Sequence, residues 1–387
     1  MDGLTHSLVG LTSAKAGLER LSPYTAAVCI LSANAPDADV VSGLFGGRWA
    51  LLQYHRGITH SILGTFVLGV LIPSIFFGFE RAIANWRKWP PGIRYRGLLA
   101  ASLIAAATHP LMDWTNNYGV RPLLPWNGKW FYGDLVFIVD PYLILILGGA
   151  AFLLTSNRRW KIVIWSLVAL VFTLIIVRVS PQRAAGVGGL TVARIIWISG
   201  VAVLLLARSL GLHKRVGKPL AVAALSFILV YWGALACTHH VAYQNAEFEA
   251  NAIALQRGEQ FIRLAAMPTA ANPFRWMCIA ETDRAMYRFF TTVGDHSSVP
   301  DGNSDDSPAG IERYEKPTGQ AERLVSVASR DPRAQVLLGF ARFPMARVES
   351  DKCSGQALVQ FADLRYTEPG ASRGNFSLSV PVPCPAP

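Results

Sequence analysis

Apolar runs separated by short loops fill the first 240 or so residues of this chain. An apolar run long enough to cross a bilayer, roughly 20 residues, satisfies its backbone polar groups in lipid only as a helix. This pattern therefore confines the first part of the chain to a helical membrane domain. Two runs come first, near 4–18 and 22–35, joined by a polar turn at Glu19 and Arg20. Both are short for a full span and read as a helical hairpin. Six stronger candidates follow, at about 58–79, 97–113, 138–155, 160–177, 191–208 and 219–238, of which 97–113 and 191–208 are short or polar-ended. The expected fold is mainly α, a polytopic membrane protein with about 6–8 membrane helices including the N-terminal hairpin.

Composition agrees, since 52% of the 387 residues are hydrophobic and only 16% are charged, too few charges for an ordinary soluble protein. The net charge of +11 would suit a nucleic-acid partner. The positions of the basic residues exclude that reading: Arg81, Arg87, Lys88, Arg94 and Arg96 lie in one loop, Arg158, Arg159 and Lys161 in another, and Arg208, Lys214, Arg215 and Lys218 in a third. Basic residues gathered in short loops between apolar runs follow the positive-inside rule. Placing these loops in the cytoplasm puts 36–57, 114–137 and everything after about 240 on the other side; the loop 178–190, with Arg178 and Arg183, is the imperfect fit. The opening MDGLTHSLVG has neither a basic stretch nor a small-residue cleavage site and does not read as a removable signal.

Beyond residue 240 the pattern changes. A polar helical stretch, 241–257, is expected to lead out of the membrane, followed by strands in 271–283, 334–343, 357–366 and 375–382. The stretch 294–319 is turn-rich and reads as a mobile loop. Two domains follow: 1–240, helical and membrane-embedded, and 241–387, an extracytoplasmic α+β domain. Cys29 and Cys237 belong to apolar segments, while an oxidising compartment would allow one disulfide among Cys278, Cys353 and Cys384, with free thiols the alternative.

Seven residues stand out against this background: His6, Asp37, Asp39, His55, His60, His109 and Asp113, each at or just beyond the end of an apolar run. Ionisable groups beside hydrocarbon cost several kcal/mol unless they pair, bind metal or line a wet cavity. The loop charges place all seven on the non-cytoplasmic side. In QYHRGITHS, His55 sits in the loop before a helix and His60 in its first turn, with Thr59 near the N-cap and Arg56 offering a fork for phosphate or carboxylate. In ATHPLMDW, His109 and Asp113 are four apart and stack on one helical face. In APDAD, Asp37 and Asp39 put two carboxylates into one turn, where a cation relieves their repulsion. Each pattern alone is as well explained by capping or interfacial anchoring; their convergence on one membrane face favours a site. Asp140, in VDPY, is either a supporting group or an N-cap before Pro141, and His239 and His240 read as interfacial.

The order TH, PDAD, HRGITHS, THPLMDW resembles the YdjM-type family of membrane-bound, metal-dependent hydrolases over roughly residues 1–150. The resemblance implies a metal-dependent hydrolase of the bacterial inner membrane, and His6, Asp37, Asp39, His55, His60, His109 and Asp113 as metal ligands. Seven N and O ligands exceed one tetrahedral ion, so two or more ions, zinc or manganese, are expected. Arg56 would steady phosphoryl oxygens, Asp39 or Asp113 would take a proton from water, and Thr59 and Asp140 would support the ligands. The expected substrate is a phosphoester, a membrane lipid or a lipid-linked phosphate, with no nucleic acid involved. Two other readings remain: a transporter or metal-handling protein, and a scaffold whose outer domain binds a partner. HExxH, GxSxG and the Gly-Lys-Ser/Thr phosphate loop are absent, and the HxxxD spacing of lipid phosphate phosphatases lacks its companion motifs.

Overall fold

The computed structural model describes residues 1–178, 186–294, 310–349, 355–371 and 374–383. Helices come first: α1 (Gly3–Lys15), α2 (Thr25–Asn34), α3 (Ser42–Tyr54), α4 (Ile62–Arg87), α5 (Tyr95–Trp114), α6 (Pro141–Thr155), α7 (Arg159–Arg178), α8 (Gly186–Ser209) and α9 (Lys218–Arg257). Strands β1 (Phe261–Thr269), β2 (Asn272–Thr282), β3 (Ala285–Thr292) and β4 (Glu312–Glu315) follow. After helices α10 (Gln320–Ala328) and α11 (Pro332–Phe340) come β5 (Pro344–Glu349), β6 (Gln356–Asp363) and β7 (Ser377–Pro383). The chain forms two compact units, one of Met1–Ala38, Arg56–Thr238 and Pro268–Pro273, the other of Asp39–His55, His239–Met267 and Phe274–Pro387.

Four helices among the described residues are long and apolar enough to cross a membrane: α4, α7 and the Thr191–Ser209 part of α8 in the first unit, and α9, which passes from the first unit into the second at His239. The other expected spans form shorter or more polar helices. α1, α2 and α6 have 13, 10 and 15 residues, and α5 buries Ser102, His109 and Asp113. Small residues let α1, α2, α4 and α5 approach closely. A Cβ on Gly10 would meet the Cys29 carbonyl oxygen at 2.6 Å, and one on Gly69 would meet Leu103 Cδ2 at 2.9 Å. Ala14, Cys29, Ala33, Ala101 and Ala105 form the resulting seam. The Ser102 hydroxyl, 2.8 Å from that of Ser32, donates to the Gly69 carbonyl at 2.7 Å. Close backbones and interhelical hydroxyl bonds of this kind replace hydrophobic driving force inside a membrane. α9 runs unbroken through the expected exit helix 241–257, a single helix of 40 residues.

The second unit carries two antiparallel sheets, β1-β2-β3-β4 and β5-β6-β7. Alternation along β2 explains its two cores. Trp276, Cys278 and Ala280 pack with Tyr287, Phe289 and the α9 residues Ala242, Ala246 and Ala250, while Ile279 packs with Met267, Met286, Phe343 and Met345. The stretches 271–283, 357–366 and 375–382 contain strands as expected. The stretch 334–343 does not: Asp331 caps α11 by accepting from the Arg333 amide, Pro332 opens the helix, and Ala334, Leu337 and Phe340 are its buried face. Spacings of three outweighed an apparent alternation, and the Asp-Pro start was the overlooked signal. Cys278 is a buried free thiol. Cys353, Cys384, Arg183 and residues 295–309 of the turn-rich stretch lie outside the described residues.

Candidate metal centre

Four segments deliver side chains to one point in the first unit. α1 carries His6, the 3-10 turn Ala35–Val41 carries Asp37, the 3-10 turn Ile58–His60 carries His60, and the last turns of α5 carry His109 and Asp113. His60 precedes its helix rather than opening it. Ser61 is the N-cap, its hydroxyl accepting from the Gly64 amide at 3.0 Å. Ser holds the cap at 61 where the sequence suggested Thr59, and Thr59 instead places its hydroxyl 3.1 Å from His60 Nδ1.

The geometry is that of a ligand cluster. One ligand atom each from Asp37, His60, His109 and Asp113 lies within 4.8 Å of the others. The Nε2 atoms of His60 and His109 are 3.0 Å apart. Asp37 Oδ1 lies 3.3 Å from the first and 3.5 Å from the second, and Asp113 Oδ2 lies 3.4 and 3.5 Å from the same two atoms. Tetrahedral ligands on bonds near 2.1 Å are separated by roughly 3.4 Å, so these spacings fit such an ion. The tautomers fit too. His109 Nδ1 donates to the Ala33 carbonyl at 2.6 Å, which leaves the Nε2 lone pair facing inward. Two inward imidazole nitrogens this close need a shared proton or a cation between them.

Burial sharpens the fit. His6, His60, His109 and Asp113 are all 0% exposed. Neither ring nitrogen of His6 makes a hydrogen bond, nor does Asp113 Oδ2, although His6 Nε2 lies 3.3 Å from Asp113 Oδ1. The His6 ring stacks on that of His109, centroids 3.8 Å apart. Orphaned buried polar atoms of this kind are costly, and a divalent ion would satisfy them. Asp37 is the ligand candidate open to solvent, its side chain 25% exposed. Burial works to raise its carboxyl, but the imidazoles of His109 and His60 beside it outweigh this and hold it well below the usual carboxylate range.

Of the other expected residues, His55 and Asp39 belong to the second unit, where His55 Nδ1 lies 2.8 Å from Asp39 Oδ1. Asp140 is the N-cap of α6, accepting from the Tyr142 and Leu143 amides at 2.9 and 3.0 Å, and from the Tyr231 hydroxyl of α9 at 2.9 Å; of the two readings of VDPY, the cap is the one observed. Arg56, expected to face substrate oxygens, is 3% exposed. Its Nη1 donates to Asn116 Oδ1 at 2.9 Å and the Gly119 carbonyl at 3.1 Å, and its Nη2 to Asp113 Oδ1 at 3.1 Å. The Ala33 carbonyl, Asn116 and Gly119 were invisible in the sequence because their part depends on neighbours 60 or more residues away.

The family model described as YdjM inner membrane protein matches residues 1–184. The chain is similar to the inner membrane protein YbcI of Escherichia coli (strain K12), 33% identical over 134 residues, covering 33% of this chain and 70% of that one. It is also similar to the uncharacterized protein YfhP of Bacillus subtilis (strain 168), 27% identical over 155 residues, covering 38% of this chain and 43% of that one. The chain thus spans less than half the length of YfhP. No solved structure matches. All the candidate ligands lie within the part the family model covers.

Proposed function

This chain belongs to the YdjM inner membrane protein family, and we propose that it is a membrane-bound, metal-dependent hydrolase of a phosphoester, with a lipid or lipid-linked phosphate as substrate. The observation that carries this reading is the inward pair of imidazole nitrogens, His60 and His109, flanked by the carboxylates of Asp37 and Asp113. That donor set suits zinc or manganese. A bound divalent ion would supply a water of lowered pKa and a Lewis acid for the phosphoryl oxygens. His60, His109, Asp37 and Asp113 would hold it, with His6 adjoining through Asp113 and the stacked ring of His109. Asp113 would accept the proton from water only where its carboxylate is not committed to the ion. Asp37, at the solvent-exposed side of the cluster, marks where a head group would enter. The distribution of Lys and Arg in the loops supports an outer-face site with the C-terminal domain outside the cytoplasm.

The test is metal loading of the detergent-purified protein after chelation, followed by elemental analysis and assay of a phosphoester in mixed micelles. At least one equivalent of zinc or manganese should be retained, and His60→Ala and His109→Ala should each lose metal and hydrolysis. Wild-type protein that retains no metal, or a His60→Ala variant with full hydrolysis, would sink the proposal.

A further inference from the structure

Among the described residues, Arg56 is the one long cation buried against the cluster, and its surroundings differ from those of a substrate-binding arginine. Its backbone has φ 55°, a left-handed conformation unfavourable for a residue with a Cβ. Its own carbonyl accepts from Arg121 Nε at 3.4 Å. Its guanidinium stacks 4.6 Å over the Tyr118 ring. Nη1 reaches the Asp113 carbonyl at 3.3 Å as well as Asn116 Oδ1 and the Gly119 carbonyl, and Nη2 reaches the Asp113 carboxylate. The Asp113 carbonyl belongs to the last turn of α5, where a cation is favoured by the helix dipole.

Four residues beyond Arg56 lies His60, and the carboxylate whose Oδ1 Arg56 grips is that of Asp113, whose other oxygen, Oδ2, lies 3.4 Å from His60 Nε2. We infer that Arg56 is a positioning residue: by joining the turn that carries His60 to the end of α5 that carries Asp113, it sets the metal-binding geometry and does not bind substrate. This inference rests on the metal-centre reading above. A planar fork with several fixed donors does what a lysine ammonium cannot, gripping one carboxylate oxygen, a main-chain carbonyl at a helix end and two loop acceptors at once. Partners that orient a metal's ligands commonly alter metal affinity by about 10–100-fold when removed.

The test measures zinc affinity of the full-length protein by competition with a chromogenic chelator, together with inorganic phosphate affinity, for wild type, Arg56→Ala, Arg56→Lys and Asn116→Ala. Arg56→Ala should weaken zinc about 10–100-fold, Arg56→Lys should fall between it and wild type, and added guanidinium ion should restore part of the loss in Arg56→Ala. Asn116→Ala, which removes one acceptor and keeps the cation, should weaken zinc by a smaller factor, and it decides the matter if Arg56→Ala does not fold. Unchanged zinc affinity in the folded variants, or lost phosphate affinity with zinc binding intact, overturns the inference while leaving the metal centre standing. A wild-type protein that binds no zinc or manganese overturns the hydrolase reading instead.

Discussion

His6 concentrates the tension in this site, because an imidazole with no hydrogen bond and no exposure destabilises the fold that buries it. Replacing it by Leu removes two unsatisfied nitrogens at similar volume. Metal-free His6→Leu should therefore unfold at higher temperature than metal-free wild type, by an amount corresponding to about 1 kcal/mol. In the same variant zinc should bind about tenfold more weakly. Thermal unfolding with and without zinc reads both effects, and a His6→Leu protein less stable when metal-free and unaltered in zinc affinity would contradict this account. Stability exchanged for a binding site is the usual cost of buried polar chemistry. At this scale the motifs were informative: Asp37, His60, His109 and Asp113 were all picked out by residue type and by position at the ends of apolar runs. Their partners were not, since the Ala33 carbonyl that orients His109 is 76 residues away and is a main-chain atom every residue possesses.

Among the elements, the α1–α2 contact decides whether His6 reaches the others. Gly10 lies four residues after His6 on α1, and a Cβ there would meet the backbone of Cys29. Gly10→Leu should push α1 away from α2, at a cost of about 1–3 kcal/mol, and should lower zinc affinity although residue 10 touches no ligand. Gly10→Ala should do the same to a smaller degree; equal zinc affinity in both variants would show that α1 is not positioned through this contact. Apolar runs revealed α1 and α2 as helices but not their separation, because a glycine's meaning depends on what faces it. The same limit applied to 334–343, where local capping chemistry at Asp331 and Pro332 overrode an alternation that suggested a strand. Helices α1, α2 and α6 are legible as apolar, yet their lengths alone leave them short of a full span.

For the whole molecule, bound metal bears on the first unit, and acid bears on the second as well. Zinc present at 100 times its dissociation constant should stabilise the protein by about 2.7 kcal/mol through mass action, and chelation should reverse the shift; no change in unfolding temperature with zinc would exclude a native-state site. In the second unit Glu259 responds to acid. Burial raises its carboxyl, but hydrogen bonds from Thr282, Arg313 and Tyr287 outweigh this and lower it. Its folded value therefore lies below its unfolded one, so its contribution is present above the unfolded value and is lost as pH falls through the folded one. Wild type should lose stability on acidification below about pH 4.5 more steeply than Glu259→Gln, as followed by circular dichroism of the β-rich unit. Equal slopes would remove Glu259 from the explanation.

The membrane class follows from the apolar runs alone, because hydrocarbon forces any spanning segment to satisfy its backbone as a helix. The metal-compatible chemistry follows from His and Asp at the ends of those runs, since residue type fixes which donors exist. Tertiary structure alone decided that His60, His109, Asp37 and Asp113 meet within the first unit and that the His55 ring faces the Asp39 carboxylate. It alone also turned Arg56 inward to grip Asp113. The physical reason is that convergence to within a few ångströms depends on how closely α1, α2 and α5 pack across small residues and on which main-chain carbonyl faces which ring. Such contacts join residues tens of positions apart, and local sequence patterns carry no record of them.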